Sequence, residues 1–157
     1  MRAGCPATAR TRAPCTAADP VERSAGTAGR LKAEEKVSSS ILNVTFDCSD
    51  AASVAQFWGQ VTRWPCSEEL MPGNPFWVVG APDGVGPRLV FVNVPEPKTV
   101  KNRVHLDLVP NGSQAQELAR IESLGGRVID DRRQATPGGW VVMADPEGNE
   151  FDLETGE

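Results

Sequence analysis

The chain has one histidine, His105, in 157 residues. Any neutral-pH chemistry by an imidazole must therefore come from that residue, because histidine alone has an unperturbed pKa near neutrality. The four cysteines, Cys5, Cys15, Cys48 and Cys66, form neither a CxxC motif nor a ladder of paired spacings. That excludes a disulfide framework and leaves free thiols in a reducing cytoplasm as the expectation. No apolar run approaches 18 residues, so no transmembrane helix is expected. There is no GxSxG nucleophile elbow. The glycine-rich stretch GAPDGVG precedes a strand rather than a helix, which excludes a phosphate loop.

Basic charge is also scarce, and it is unevenly placed. The first 36 residues carry seven basic and four acidic side chains, a net +3, against 16 basic and 21 acidic in the whole chain. The remaining body is therefore −8. Nucleic acids and anionic membranes need a basic face, so neither is an expected partner. A small-molecule ligand is expected instead, with a cationic one suiting the body's charge.

The N-terminal stretch is rich in Ala, Arg, Thr, Pro and Gly and has no apolar period. Residues 1–38 are expected to be a disordered extension, too poor in apolar residues to offset the entropy of ordering. The stretch has no secretory h-region, and its Arg-rich, acid-poor start resembles an organellar transit peptide. An alternative start at Val37 is a further expectation, and N-terminal sequencing of the native protein would test it.

From Ile41 the pattern changes. ILNVTFD alternates as a strand does. Ser49 or Asp50 can cap a helix whose apolar residues fall at Val54, Phe57, Trp58 and Val61, the i, i+3, i+4, i+7 spacing. Pro65 follows it. FWVVGAP and RLVFVNVP read as strands. The order then restarts. RVHLDLVP is a strand, and NGSQAQELARIESLGG is a helix with a Ser113–Gln116 capping box and a Gly125–Gly126 stop. RVIDDRR, GWVVMA and NEFDLE are strands, with a type I turn at DPEG, residues 145–148. The repeat gives one module over about 41–95 and a second over about 103–154, within a domain spanning 39–157.

Two tandem βαβββ modules resemble the vicinal oxygen chelate superfamily of glyoxalase I, extradiol dioxygenases and bleomycin-resistance proteins. NVTFDCSDAASVAQFW is similar to that group's first strand and helix, HLDL to its fifth strand, and GWVVMADPEGNEFDLE to its last hairpin. PEPKTVKNRVHLDL is similar to its glyoxalase-like branch. The resemblance implies an α+β fold with a curved mixed sheet around a cleft. It also implies a site with one side chain from the first and fourth strands of each module. Carried over, these positions are Asn43, then Phe91 or Asn93, then His105, then Asp152.

Alternation independently puts His105 and Asp107 on one side of their strand, Asn43 on the polar side of the first, and Glu150 with Asp152 on the polar side of the last. Only His105 and Asp152 are good metal ligands at the four positions, whereas catalytic zinc takes three protein ligands. No cofactor is therefore expected. If a divalent metal were bound, His105 and Asp152 would hold it, with Asp107 or Glu150 as a third ligand.

His105 has three readings: a strand histidine bonded to a neighbour such as Asp152, a polar group orienting a ligand, or a general acid or base. Trp58 and Trp64 are expected in the core. Trp77 and Trp140 border the cleft and can stack on a flat ligand or simply pack. Lys101, Asn102 and Arg103 form a linker before the histidine strand, with an anion contact as the alternative. The function expected is a metal-independent lyase or isomerase using His105 and a carboxylate, such as Asp152. The alternatives are a ligand-sequestering protein of the bleomycin-resistance type and a metal-dependent lyase or dioxygenase. A homodimer is one expected assembly, and the cytoplasm the expected compartment.

Overall fold

Alternating apolar residues give each strand one face that must leave water, and the two repeats bury those faces against a common core. The structure, a computed structural model, describes residues 38–71, 74–135 and 137–156. Residues 1–37 of the extension expected to be disordered, with Cys5 and Cys15, lie outside the described residues. The elements run β1 (Asn43–Cys48), α1 (Ala51–Thr62), β2 (Cys66–Met71), β3 (Asn74–Val79), β4 (Arg88–Asn93), β5 (Asp107–Leu108), α2 (Gln114–Ser123), β6 (Arg127–Asp131), β7 (Val141–Ala144) and β8 (Glu150–Leu153). They form two mixed four-stranded sheets of equivalent order, β1-β4-β3-β2 and β5-β8-β7-β6. In each, the first and fourth strands pair in parallel and the other pairs are antiparallel. The expected pair of βαβββ modules is thus present, in an α+β fold.

Three elements differ from the sequence reading. β2, CSEELM, was not expected, and its two adjacent glutamates explain why alternation did not reveal it. The fifth strand shrinks to Asp107–Leu108, leaving His105 in the approach to it. Ser113 caps α2 by position only, since its side chain makes no capping hydrogen bond. The glycine stop is as expected: Gly125 has φ +104° and the Gly126 amide donates to the Ile121 carbonyl at 3.0 Å.

The helix α1 occupies the centre of this arrangement. Val54, Phe57, Trp58 and Val61 are all buried, as their spacing predicts. On one side they join Val79, Leu89 and Phe91 of the first sheet, and on the other Val141, Met143, Phe151 and Leu153 of the second, in one continuous cluster. The Trp58 ring lies 5.1 Å from that of Phe151. From α2, the Arg120 guanidinium reaches the Gln60 and Val61 carbonyls at the end of α1 at 2.9 and 2.7 Å.

The start of α1 is held by side chains from three places. Asp50 accepts from the Ser53 amide at 3.1 Å. Asn93 at the end of β4 accepts from the Ala51 amide at 2.8 Å. Glu147, in the turn before β8, accepts from the Ser49 amide at 2.8 Å and from the Asp50 amide. These acceptors take up N–H groups that a helix start leaves without intrahelical partners.

Below the turn, the fully buried Asp145 carboxylate accepts from the Glu147 and Asn149 amides, from the Asn149 side chain, and from the Trp58 indole at 3.3 Å. The DPEG turn closes by a Gly148 amide to Asp145 carbonyl bond of 3.0 Å, as expected of a type I turn. It therefore ties the second module to the helix of the first.

Candidate functional site

Because the apolar faces of both sheets meet at α1, their polar faces look outward on opposite sides of the core. The first polar face is fixed by the β1–β4 register, in which Asn43 lies opposite Arg88 and Thr45 opposite Val90. Arg88 Nε donates to Asn43 Oδ1 at 3.1 Å, and its Nη1 pairs with Glu69 at 3.4 Å. The β4 residues on this face are therefore Arg88, Val90 and Val92. That corrects two expectations. Phe91 is fully buried on the helix side, stacked 5.1 Å from Phe46. Asn93 holds the start of α1 rather than lining a cleft. Trp77 is also corrected: it pairs with Phe91 across the ladder and packs on the core.

The second polar face carries the other expected residues. Asp107 lies opposite Asp152, and Asp152 opposite Val142. Asp152 Oδ1 is a buried acceptor with no hydrogen-bond partner among the described residues. Burial pushes the Asp152 carboxyl above its ordinary pKa and the neighbouring Asp107 adds to this, while His105, Lys101 and Arg132 pull the other way. His105 does not bond Asp152 as the simplest reading supposed. Its Nε2 lies 2.6 Å from Lys101 Nζ. In a neutral ring Nε2 accepts here from the ammonium and Nδ1 carries the proton, so Nδ1–H is the group such a ring offers. Trp140 is half-buried beside this face, with the Arg132 guanidinium 5.7 Å from its ring.

Glu150 begins β8 but faces the linker. It accepts from the Asn102 amide at 3.0 Å and pairs with Lys98 at 3.2 Å. Burial alone would raise its pKa, but these donors hold the carboxyl below the usual range. Two cavities flank β5. One, of about 620 Å³, runs along β1 beneath the linker, with a floor of Val44, Phe46, Trp58 and Leu106 and a rim that includes Lys101, Arg103 and Glu150. The other, of about 690 Å³, lies between the end of α1 and the start of α2 and includes Asp107. The first was not anticipated, because residue spacing does not show where a linker crosses a strand edge.

These features fit a known family. The glyoxalase-like domain model matches residues 43–154. The chain belongs to that family. No curated protein matches it by sequence. Among solved structures, it is similar to a hypothetical protein from S. aureus at 13% identity and TM-score 0.60, covering 76% of this chain and 94% of that one. A mutant form of the fosfomycin resistance protein FosX from Listeria monocytogenes, complexed with Mn(II) and 1S,2S-dihydroxypropylphosphonic acid, matches at 15% and 0.57, covering 77% and 93%. A glyoxylase/bleomycin resistance protein/dioxygenase domain from Frankia sp. matches at 14% and 0.53, covering 77% and 94%. At these identities the likeness is one of fold.

A catalytic centre takes about three protein ligands, whereas no group of three or more His, Cys, Asp or Glu side chains suited to a metal occurs among the described residues. Asn43, a weak neutral donor, is already bonded to Arg88. No described helix is long and apolar enough to cross a membrane.

Proposed function

We propose that the face bearing His105, Asp107 and Asp152 binds a small organic molecule and transfers a proton on it, as a lyase or isomerase that needs no metal. The observation that carries this reading is Asp152. A buried carboxylate oxygen with no partner is costly unless a ligand supplies the missing donor, and Asp152 Oδ1 is such an atom. Its raised pKa makes Asp152 a stronger proton acceptor than an exposed carboxylate. His105, held by Lys101, presents Nδ1–H to a ligand oxygen that gains charge as the proton leaves. The acidic surroundings suit a ligand with a cationic or donor-rich group next to an acidic C–H bond.

A thermal-shift screen of small metabolites, followed by turnover of each hit, tests this. His105→Ala should lose about 100-fold in turnover while keeping the ligand-induced rise in Tm. Stoichiometric nickel, zinc, manganese or iron(II) binding that disappears in His105→Ala would overturn the metal-free part. The 620 Å³ cavity, with its apolar floor, favours a second reading. There the protein sequesters a ligand without chemistry, hits give a Tm rise with no turnover, and affinity follows Phe46 and Leu106 rather than His105.

A further inference from the structure

The linker between the repeats roofs the 620 Å³ cavity beside β1, and it is pinned in that position. Lys98 pairs with Glu150 at 3.2 Å, and the Asn102 amide donates to the same carboxylate at 3.0 Å. The Asn102 side chain reaches Asn149 at 3.4 Å. Beneath this roof lie Val44, Phe46 and Leu106, each only half-buried although packed against the core, and the buried Trp58 ring. Val100 and Val104, in the roof itself, are 73% and 71% exposed. Apolar surface left open in a concavity is the usual form of a small-molecule site, for which about 300–1,000 Å³ is typical.

The lip of the cavity is polarised. The Val94 amide donates to the Cys48 carbonyl at 2.8 Å, so the linker leaves β4 beside the end of β1, and Asp47 and Glu96 line the cavity there. Lys101 and Arg103 line the part where the chain leads into β5. Three of the body's nine basic side chains, Lys98, Lys101 and Arg103, thus fall on one short segment. Glu150 neutralises Lys98. The other ion pairs among the described residues take Arg88, Arg120, Arg132 and Arg133, and include neither Lys101 nor Arg103. Lys101 instead contacts the His105 ring, and Arg103 stands exposed. Two cations without a carboxylate partner, beside an apolar hollow, are complementary to a molecule with an apolar body and one anionic end.

We infer that this cavity is a binding site, separate from the Asp152 face, for an amphipathic monocarboxylate of the fatty-acid type. Its hydrocarbon part lies on Val44, Phe46, Trp58 and Leu106, and its carboxylate is held by Arg103 and Lys101. Lys101 both lines the cavity and touches His105, 2.6 Å from Nε2. A carboxylate is a stronger acceptor for an ammonium than a neutral imidazole is. The bound anion therefore draws Lys101 away from His105 and frees the ring. Occupancy of the cavity thus alters the group that the proposed function sets against the ligand oxygen, which makes the cavity an effector site. That consequence rests on the proposed function, whereas the binding site itself does not.

Isothermal calorimetry of the full chain with decanoate, decanol and decyltrimethylammonium tests this. Decanoate should bind saturably, one molecule per chain. The neutral and cationic amphiphiles should bind at least about 10-fold more weakly, the factor that one charge-assisted hydrogen bond supplies. Arg103→Gln and Lys101→Gln should each weaken decanoate by about 10-fold, and both side chains are exposed, so neither change should unfold the protein. The single histidine gives a readout of the coupling that needs no turnover. In protein carrying isotopically labelled histidine, at pH 8 where an ordinary ring is neutral, saturating decanoate should move the Nε2 resonance toward its position in Lys101→Gln. Arg103→Gln without ligand should leave that resonance in place. Absence of saturable decanoate binding overturns the inference, as does equal affinity for the cationic amphiphile or an affinity indifferent to both substitutions. A His105 resonance unmoved at saturation overturns the effector role. Decanoate binding with no turnover of any metabolite sinks the proposed function alone. Turnover by a protein that ignores decanoate sinks the cavity site alone.

Discussion

Replacing Asp145 by alanine should cost this protein a large part of its stability. The carboxylate is fully buried and accepts four hydrogen bonds: from the Glu147 amide at 3.0 Å, the Asn149 amide at 2.8 Å, Asn149 Nδ2 at 2.8 Å and Trp58 Nε1 at 3.3 Å. Trp58 and Asn149 are themselves buried, so water reaches three of these donors poorly. Hydrogen bonds to a charged group contribute about 1.5–3 kcal/mol each, and an orphaned buried donor costs about 1–3 kcal/mol. Relief from burying the charge offsets part of this, as does water entering the space left behind. A net loss of about 3–5 kcal/mol results, against a total of about 5–15 kcal/mol for a domain. With a urea m-value of about 1.5 kcal/mol/M, the unfolding midpoint should fall by about 2–3 M, followed by tryptophan fluorescence. Asp145→Asn keeps an oxygen for the two backbone amides but turns an amide toward Trp58 and Asn149, and should lose roughly half as much. An Asp145→Ala protein within about 1 kcal/mol of the native one would refute the view that this residue fastens the modules together.

Three more expectations follow from other contacts. Glu147→Ala removes the acceptor of the Ser49 and Asp50 amides and should cost about 1 kcal/mol in urea unfolding, the usual value of a lost helix cap. Gly126→Ala would place a methyl 2.6 Å from Ile121 Cγ2 and 3.1 Å from the Ile121 carbonyl, so it should lower stability by about 1–3 kcal/mol, as core overpacking does. The Cys48 thiol is pushed up to about 12 by burial and by the carboxylates of Glu147, Asp145, Asp47 and Asp50. A raised folded-state value means the native state holds this proton more tightly than the unfolded chain. The stabilisation is complete below about pH 9 and lost as pH rises toward 12. Cys48→Ala should flatten that alkaline loss in a pH series of melting curves, and native Cys48 should resist iodoacetamide at pH 8.

What the sequence disclosed depended on whether polar residues marked the phase of each strand. In β1 and β8 they do: Asn43, Thr45 and Asp47 alternate with Val44 and Phe46, and Glu150 and Asp152 alternate with Phe151 and Leu153, so their faces could be read directly. In LVFV of β4 and FWVV of β3 every residue is apolar, and no alternation tells Phe91 from Val90 or Trp77 from Val78. Only pairing with β1 sets the phase there, through the Asn43–Arg88 register. Helix α1 was legible from its apolar stripe. The acceptors at its start were not, since Glu147 lies 98 residues from Ser49. The same holds for Lys101, whose contact with His105 depends on how a linker without periodicity folds back. In β6, all five residues are exposed, and a bulge breaks the register between Val128 and Asp130. RVIDDRR nevertheless reads as a strand, with β-branched Val128 and Ile129 following the Gly125–Gly126 stop.

The position of α1 also bears on how this fold can be divided. Its sequence belongs to the first repeat, yet Trp58 and Phe57 fill space under the second sheet, and Arg120 closes its last turn from the second repeat. Neither repeat encloses its own core. Expressed alone, the first half would leave two aromatic rings in water, and the second would lose the helix beneath Phe151. Amide exchange should therefore be slowest along α1 and similarly slow in β4 and β8, with both halves opening together. In evolutionary terms, a single ancestral repeat with this helix would have been stable only when paired with another of its kind.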